Sequence, residues 1–195
     1  MECIEVKNSV LNSCSYILDG DNKCLIIIDC GDIQPIIEYA EKARVNVGAV
    51  LLTHSHFDHI YGLNELIMRF PNIVIYTSYE GKIGLLDSKV NLSKYNEILP
   101  PFQLQLGLIS IIEKNQSIQI GNLTIHAFFT PGHDTSCITY QFHDMLFTGD
   151  SLIPGIKTLT NLPRSNKQQA EYYENWIKNK ARSEYLTIYP GHYLL

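Results

Sequence analysis

Short apolar runs separated by turn residues predict several strands in the first half of the chain. Residues 15–18 and 24–29 flank a turn-rich segment, 19–22, and predict a hairpin. The run at 24–29 is apolar without alternation, which is typical of a strand covered on both faces. The other strands predicted in this half are 2–7, 47–52 and 72–76.

Helical spacing of apolar residues occurs between these strands. Ile36, Ala40 and Ala43 share one face of a helix predicted over 35–44. A second helix is predicted over 63–70, where Pro71 stops it, and a third over 168–180. The first half therefore alternates strands with helices.

Strands return in the second half of the chain. Two hairpins are predicted, one across Gly121-Asn122 and one across His143-Asp144, followed by a last strand. The strands concerned are 117–120, 123–129, 135–142, 145–148 and 185–189.

Residues 77–116 carry the weakest pattern. A short helix is predicted over 81–86, and residues 91–107 are expected to be irregular because they contain several breakers. A long loop in a compact domain is often functional, for instance as a flap over a substrate. A surface excursion without function is the equal alternative, and both stay open here.

Composition limits the class of protein. The chain has 195 residues, 45% of them hydrophobic, and is expected to form a single domain over 1–195. Its net charge of −5 argues against a nucleic-acid partner. Five cysteines without a Cys-x-x-Cys pair fit the reduced thiols of a cytoplasmic protein. With no secretory signal and no apolar run near the ~20 residues that span a bilayer, we expect no membrane contact.

The densest chemistry follows the apolar run at 47–52. His54, His56, Asp58 and His59 lie within six residues at a predicted strand end. In an extended segment His54 and His56 point the same way and could bind one metal ion together. Asp58 and His59 diverge from that pair and suit a second ion. Imidazole nitrogen and carboxylate oxygen both bind divalent cations at about 2.0–2.2 Å.

Three more candidate ligands, His133, Asp150 and His192, also follow predicted strands. Ligands from distant parts of a chain often meet at the carboxyl ends of strands in α/β folds. Two of them share a local sequence pattern, because Pro-Gly precedes both His133 and His192. The remaining histidines, His126 and His143, are expected to be structural or surface residues.

This set of motifs, His54-x-His56-x-Asp58-His59 with His133, Asp150 and His192, resembles the metallo-β-lactamase superfamily, and its glyoxalase II-like branch most closely. Asp29-Cys30-Gly31 matches an early Asp-x-Gly of that family. The resemblance covers nearly the whole chain and implies an α/β fold, a four-layer αββα sandwich. It does not include the C-terminal helical domain that holds glutathione.

The resemblance also implies a dinuclear site, with Asp150 bridging the two ions and a shared hydroxide attacking the substrate. Asp58 would orient that hydroxide, and Asp29 would fix the loop from behind. The ligands implied for the first ion are His54, His56 and His133, and those for the second are Asp58, His59 and His192. The expected ions are two Zn²⁺, with iron and manganese as alternatives, because an imidazole and carboxylate set suits all three metals.

The leading functional hypothesis is hydrolysis of a small thioester or ester. Lys157 and Arg164 are the cations best placed to meet a substrate carboxylate, although they could equally be solvated loop charges. Tyr193 follows His192 directly, one position before the tyrosine that contacts glutathione in the family. The alternatives are a mononuclear iron persulfide dioxygenase, a lactonase, a phosphodiesterase or nuclease, and a non-catalytic regulatory module. A homo-oligomer is left open, since the last ligand lies near a chain end.

Overall fold

The computed structural model describes residues 3–20 and 24–193, and the strands within these ranges form two sheets. The strands of the first sheet are β1 (Cys3–Lys7), β2 (Cys14–Asp19), β3 (Cys24–Ile28), β4 (Asn46–Leu51), β5 (Val74–Thr77) and β6 (Leu108–Ile111). They lie side by side in chain order. β1, β2 and β3 pair antiparallel, whereas β3 to β6 run parallel.

The second sheet follows in the second half of the chain. Its strands are β7 (Gln116–Ile120), β8 (Leu123–Phe129), β9 (Ile138–Phe142), β10 (Met145–Gly149) and β11 (Thr187–Pro190). They are arranged in the order β11-β10-β9-β8-β7. β10 and β11 are parallel, and the other neighbours are antiparallel.

Helices cover the outer faces of the two sheets. They are α1 (Gln34–Ala43), α2 (Leu63–Arg69), α3 (Tyr79–Leu86) and α4 (Lys167–Ser183). Ile27 of β3 packs in a cluster with Ile36 of α1 and Leu66 of α2. On the opposite face of β3, Ile26 and Ile28 join a cluster between the sheets with Phe147 of β10. This two-sided burial explains why β3 is apolar without alternation.

A third apolar cluster lies between the second sheet and α4. Leu146 of β10 packs with Ile177 and Ala181 of α4, on the face opposite the one that Phe147 presents to the first sheet. The order of layers is therefore helix, sheet, sheet, helix. The predicted αββα sandwich is confirmed.

The structure differs from the sequence prediction chiefly at β6. Leu108 is 61% exposed and the other residues of this edge strand are only partly buried, so no clear apolar period marks it. β9 also begins at Ile138 rather than at 135, because Asp134 Oδ1 accepts the N–H of Ser136 at 2.8 Å and closes a turn there. Residues 21–22 of the predicted hairpin turn lie outside the described residues.

The segment 91–107, which is expected from its sequence to be irregular, packs on the domain. Asn91 is fully buried, and its Nδ2 donates to the carbonyl oxygens of Gly84 at 2.8 Å and Phe102 at 3.1 Å. The backbone carbonyl of Asn91 accepts the N–H of Phe57 at 3.0 Å, next to the segment that carries His54, His56 and His59. Over residues 3–20 and 24–193, no helix has the length and apolar character required to cross a bilayer.

Candidate metal centre

Four strand ends meet at one rim of the sandwich. His54 and His56 follow β4, and a 3-10 turn over Phe57–His59 carries Asp58 and His59. His133 follows β8, Asp150 follows β10 and His192 follows β11. All seven candidate ligands are buried or nearly so.

The seven side chains form three overlapping groups in which the potential ligand atoms lie within 4.8 Å of one another. The groups are His54, His56 and His133; His54, His59 and Asp150; and Asp58, His59 and His192. The first and third groups coincide with the two ligand sets that the resemblance implies. The second shares His54 with the first and His59 with the third, and it adds Asp150.

Asp150 lies between the two outer groups. Its Oδ2 is 3.4 Å from Nε2 of His133 and 3.2 Å from Nε2 of His192. On the first side, Nε2 of His133 is 2.9 Å from Nδ1 of His56. On the other, Oδ2 of Asp58 is 3.4 Å from Nε2 of His192. One carboxylate thus reaches ligands of both groups.

Three of the imidazoles are oriented from behind by an acceptor. Nδ1–H of His59 donates to Asp29 Oδ2 at 2.9 Å, that of His133 to the carbonyl of Leu159 at 3.1 Å, and that of His192 to the carbonyl of Leu11 at 2.9 Å. Carbonyls and carboxylates only accept, so Nδ1 carries a proton in each of these rings and Nε2 is the atom that faces the centre. Such outer partners fix the tautomer of metal-binding histidines.

Asp29 supports the centre beyond His59. It accepts the backbone N–H of Thr53 and the Thr53 hydroxyl, each at 2.7 Å. Its backbone has φ 54°, a left-handed conformation that Asp tolerates better than most residues. The carboxylate therefore connects the end of β3 to the start of the histidine segment.

Two buried polar atoms at the centre, among the described residues, have no hydrogen-bond partner: Nε2 of His54 and Oδ1 of Asp150. Leaving such an atom unpaired costs about 1–3 kcal/mol. Both atoms belong to the ligand groups. A divalent cation would satisfy them, so the residues present fit a metal site.

Burial and charged neighbours prepare three of the seven groups, His54, His56 and Asp150, for a cation. Burial lowers the pKa of His54, and burial together with the neighbouring His133 lowers the pKa of His56 to about 4. Burial opposes ionisation of Asp150, but His133 and His192 outweigh it and hold the pKa of that carboxyl well below its usual range. Burial also disfavours the His59 cation, yet Asp58 and Asp29 outweigh burial and raise the pKa of His59 to about 10. Without a metal ion, His59 therefore carries a proton that an ion would have to displace.

Two cavities open on the ligands from different sides. One, of about 300 Å³, is lined by His133, Asp150 and His192 together with apolar side chains such as Ile153 and Leu159. The other, of about 250 Å³, is lined by His56 and by Asp134, Arg164 and Tyr95.

The structure separates the proposed substrate-contacting residues. Lys157 and Tyr193 line the 300 Å³ cavity, and Nζ of Lys7 lies 5.0 Å from the centre of the Tyr193 ring. Arg164 lines the other cavity and is held in ion pairs with Asp134 and Glu80, at 3.2 Å each.

Two histidines stay outside the centre, and one aspartate near it was missed. His126 on β8 is exposed and bonds Ser117 at 2.8 Å, while His143 occupies the turn between β9 and β10. Asp134, which the sequence reasoning did not select, has its Oδ2 3.7 Å from Nε2 of His56. Its only sequence signal was its position directly after His133.

Comparisons with known proteins agree with this geometry. The model of the Metallo-beta-lactamase superfamily matches residues 9–192. The hydroxyacylglutathione hydrolase of Buchnera aphidicola subsp. Schizaphis graminum is 33% identical over 140 residues, which are 72% of this chain and 47% of that protein. A Bacillus subtilis protein described as "Probable metallo-hydrolase YqgX" is 30% identical over 157 residues, 79% of this chain and 72% of its own.

The fold has close structural neighbours as well. The BLEG-1 B3 metallo-beta-lactamase superposes with a TM-score of 0.86 at 25% identity, over 99% of this chain and 92% of that one. The chain spans about half the length of the hydroxyacylglutathione hydrolases that it matches.

Proposed function

The chain belongs to the metallo-beta-lactamase superfamily, and from that premise we propose that it is a dinuclear metal-dependent hydrolase that cleaves a small thioester or ester. The observation that carries the proposal is the position of Asp150, within 3.4 Å of His133 and 3.2 Å of His192. A carboxylate shared between two ligand groups suits a pair of ions better than one.

The proposed ligands are those of the two outer groups, with Asp150 shared. The proposed ion is Zn²⁺, although an imidazole and carboxylate set suits iron and manganese as well. When bound, two such ions supply an activated water at neutral pH and an electrophile for the oxygen on which charge develops.

The protein's own side chains orient the reactants. Asp58 is buried beside His59 and His192, where its carboxylate can accept a hydrogen bond from the attacking water and aim it. Asp29 holds the proton on Nδ1 of His59 and so keeps Nε2 directed at the centre. No serine or cysteine nucleophile is required by this arrangement.

The proposed substrate class rests on the relatives and on the 300 Å³ cavity. Relatives named hydroxyacylglutathione hydrolase support a thioester. The cavity offers apolar walls for a short acyl chain and, at its rim, Lys157 for a carboxylate and Tyr193 for further contact. These two residues are the substrate contacts we propose. Arg164, already paired with Asp134 and Glu80, has less freedom for that role.

The test combines metal analysis with a panel of thioesters, esters, lactones, phosphodiesters and β-lactams. We expect two ions per chain and turnover of a thioester or ester. Asp150→Ala should lose metal and activity together, whereas His126→Gln, a histidine substitution on the exposed face of β8, should keep both. One iron per chain with oxygen uptake would instead support the persulfide dioxygenase alternative. Full activity in Asp150→Ala would refute the shared-carboxylate site.

A further inference from the structure

Asp134 is a buried carboxylate next to the centre that has no place among the seven candidate ligands. Its side chain is 1% exposed. Oδ1 accepts hydrogen bonds from the backbone N–H and the hydroxyl of Ser136. Oδ2 faces two cationic or polar groups, Nε of Arg164 at 3.2 Å and Nε2 of His56 at 3.7 Å.

His56 is turned differently from the other ligand histidines. Its Nδ1 faces Nε2 of His133, inside the first ligand group, and its Nε2 faces Asp134. If Nδ1 is to offer its lone pair to a cation, the ring proton must lie on Nε2. At 3.7 Å the Asp134 carboxylate lies beyond ordinary hydrogen-bond distance from Nε2, but its negative charge favours a proton on that side of the ring.

We propose that Asp134 is a positioning residue that holds the proton on Nε2 of His56 and thereby directs Nδ1 to the first metal subsite. The proposal rests on the metal centre proposed above. It gives each subsite a carboxylate beside a ligand histidine: Asp134 lies 3.7 Å from His56 on one side, and Asp29 is hydrogen-bonded to His59 at 2.9 Å on the other.

Arg164 holds Asp134 in place through an ion pair. Its Nε lies 3.2 Å from Asp134 Oδ2 and donates to the Thr135 hydroxyl at 2.9 Å, and its Nη2 pairs with Glu80 of α3 at 3.2 Å. The guanidinium thus ties the loop that carries Asp134 to α3. It also balances the charge of a carboxylate that would otherwise be costly to bury.

The main test measures metal affinity. Apo-protein is titrated with Zn²⁺ against a chromophoric chelator, for the wild type and for Asp134→Asn. We expect one of the two binding constants to weaken about 10–100-fold, the range found when an outer partner of a metal ligand is removed. The other constant should change little.

Asp87→Asn is the matched control. Asp87 Oδ1 accepts the N–H of Lys89 at 2.8 Å, the same two-residue turn that Asp134 makes with Ser136. It belongs to none of the ligand groups found among the described residues. Both constants should be unchanged in this variant. Circular dichroism and thermal melts establish whether Asp134→Asn is folded.

A second measurement needs no substitution. In the ¹⁵N-labelled, zinc-loaded wild type, histidine ring correlations report which nitrogen carries the proton. We expect His56 to be protonated on Nε2, and His59, His133 and His192 on Nδ1. A His56 ring protonated on Nδ1 would overturn the proposal even if Asp134→Asn did not fold.

The outcomes separate the two proposals. A wild type that binds no metal ion would refute the metal centre itself. A wild type that binds two ions, with equal constants in folded Asp134→Asn, would leave the centre standing and refute the role of Asp134.

Discussion

Replacing Asp29 by alanine should destabilise the metal-free protein more than any single change at the surface. Asp29 is 1% exposed and accepts three hydrogen bonds, from the N–H and hydroxyl of Thr53 and from Nδ1 of His59. The Thr53 hydroxyl can turn toward Nδ1 of His54, 3.2 Å away, but the two N–H groups would be left buried and unpaired.

The magnitude follows from these contacts. Two buried donors without acceptors cost roughly 1–3 kcal/mol each. Alanine at φ 54° adds roughly 1–2 kcal/mol of backbone strain. The sum is about 3–8 kcal/mol, and breaking a buried ion pair from one side typically costs about 3–5 kcal/mol. We therefore expect a loss of about 3–5 kcal/mol, a large part of the roughly 5–15 kcal/mol that holds an ordinary domain folded.

Asn is the informative companion at this position. Asp29→Asn keeps an oxygen for the Thr53 N–H and tolerates the left-handed conformation, so it should cost less than alanine. It removes the charge beside His59, however, and should weaken zinc binding even where the fold survives.

The assay is urea unfolding of chelator-treated protein, followed by circular dichroism and tryptophan fluorescence. Equal slopes for the three proteins would show that the change lies in stability rather than in the unfolded chain. If Asp29→Ala lost less than about 1 kcal/mol, the reasoning from unpaired buried donors would be wrong.

Two further predictions follow from the titrating groups. Because the folded pKa of His59 is raised to about 10 from an ordinary 6.5, its contribution to the stability of the metal-free protein is complete below about pH 6.5 and is lost as the pH rises through about 10. Urea melts of chelator-treated protein at pH 7 and pH 9.5 should show this loss, and melts that do not change with pH would contradict the raised pKa of His59. Zinc binding at pH 7 should also release a proton, which calorimetry in buffers of different ionisation enthalpy can measure. Cys30 and Cys137 are buried, and burial raises the pKa of both thiols, so a chromogenic disulfide reagent should modify them only as the protein unfolds. Burial also raises the pKa of Cys24, but this side chain is partly exposed, so it should react in the native state, more slowly than a free thiol.

Strand and helix positions could be predicted where burial leaves a pattern in the sequence, either a period or an unbroken apolar run. β3 has apolar clusters on both faces, so its unbroken Ile26–Ile28 was a strong signal. β6 was missed because an edge strand with Leu108 mostly exposed carries no such pattern. Its existence depends on pairing with β5, which is a long-range contact that local sequence does not encode.

The candidate ligands were readable for a different reason. Histidines and aspartates directly after apolar runs are unusual enough to be noticed one chain segment at a time. Their grouping within 4.8 Å depends on the fold, and their binding of metal stays a prediction. Asp134 shows the limit, because an aspartate in a turn is ordinary until its Oδ2 is seen 3.7 Å from His56. Arg164 was selected from the sequence as a substrate contact, but its ion pair with Glu80 could not be foreseen, because Glu80 is 84 residues away in the chain.

The repeated Pro-Gly before His133 and His192 gains a physical reason from the packing. A Cβ at Gly132 would overlap the backbone of Ala170 in α4, and the N–H of Asn166, which caps that helix, donates to the Gly132 carbonyl at 2.8 Å. A Cβ at Gly191 would overlap Oδ1 of Asp150. Each glycine therefore lets the chain pass closely enough to a neighbour to place the next histidine.

Bonds between the two sheets then fix the spacing of those histidines. The Thr53 carbonyl at the end of β4 accepts the N–H of Ile138 at 2.7 Å, and the Gly191 carbonyl accepts the N–H of Cys14 at 2.7 Å. The hydroxyl of Tyr16 on β2 also donates to the carbonyl of Pro190 at 2.6 Å. Apolar packing alone would let one sheet slide on the other, because it is not directional. These few hydrogen bonds lie next to the ligands and fix the position of one sheet relative to the other. A shift of the sheets at this point would move the two ligand groups apart.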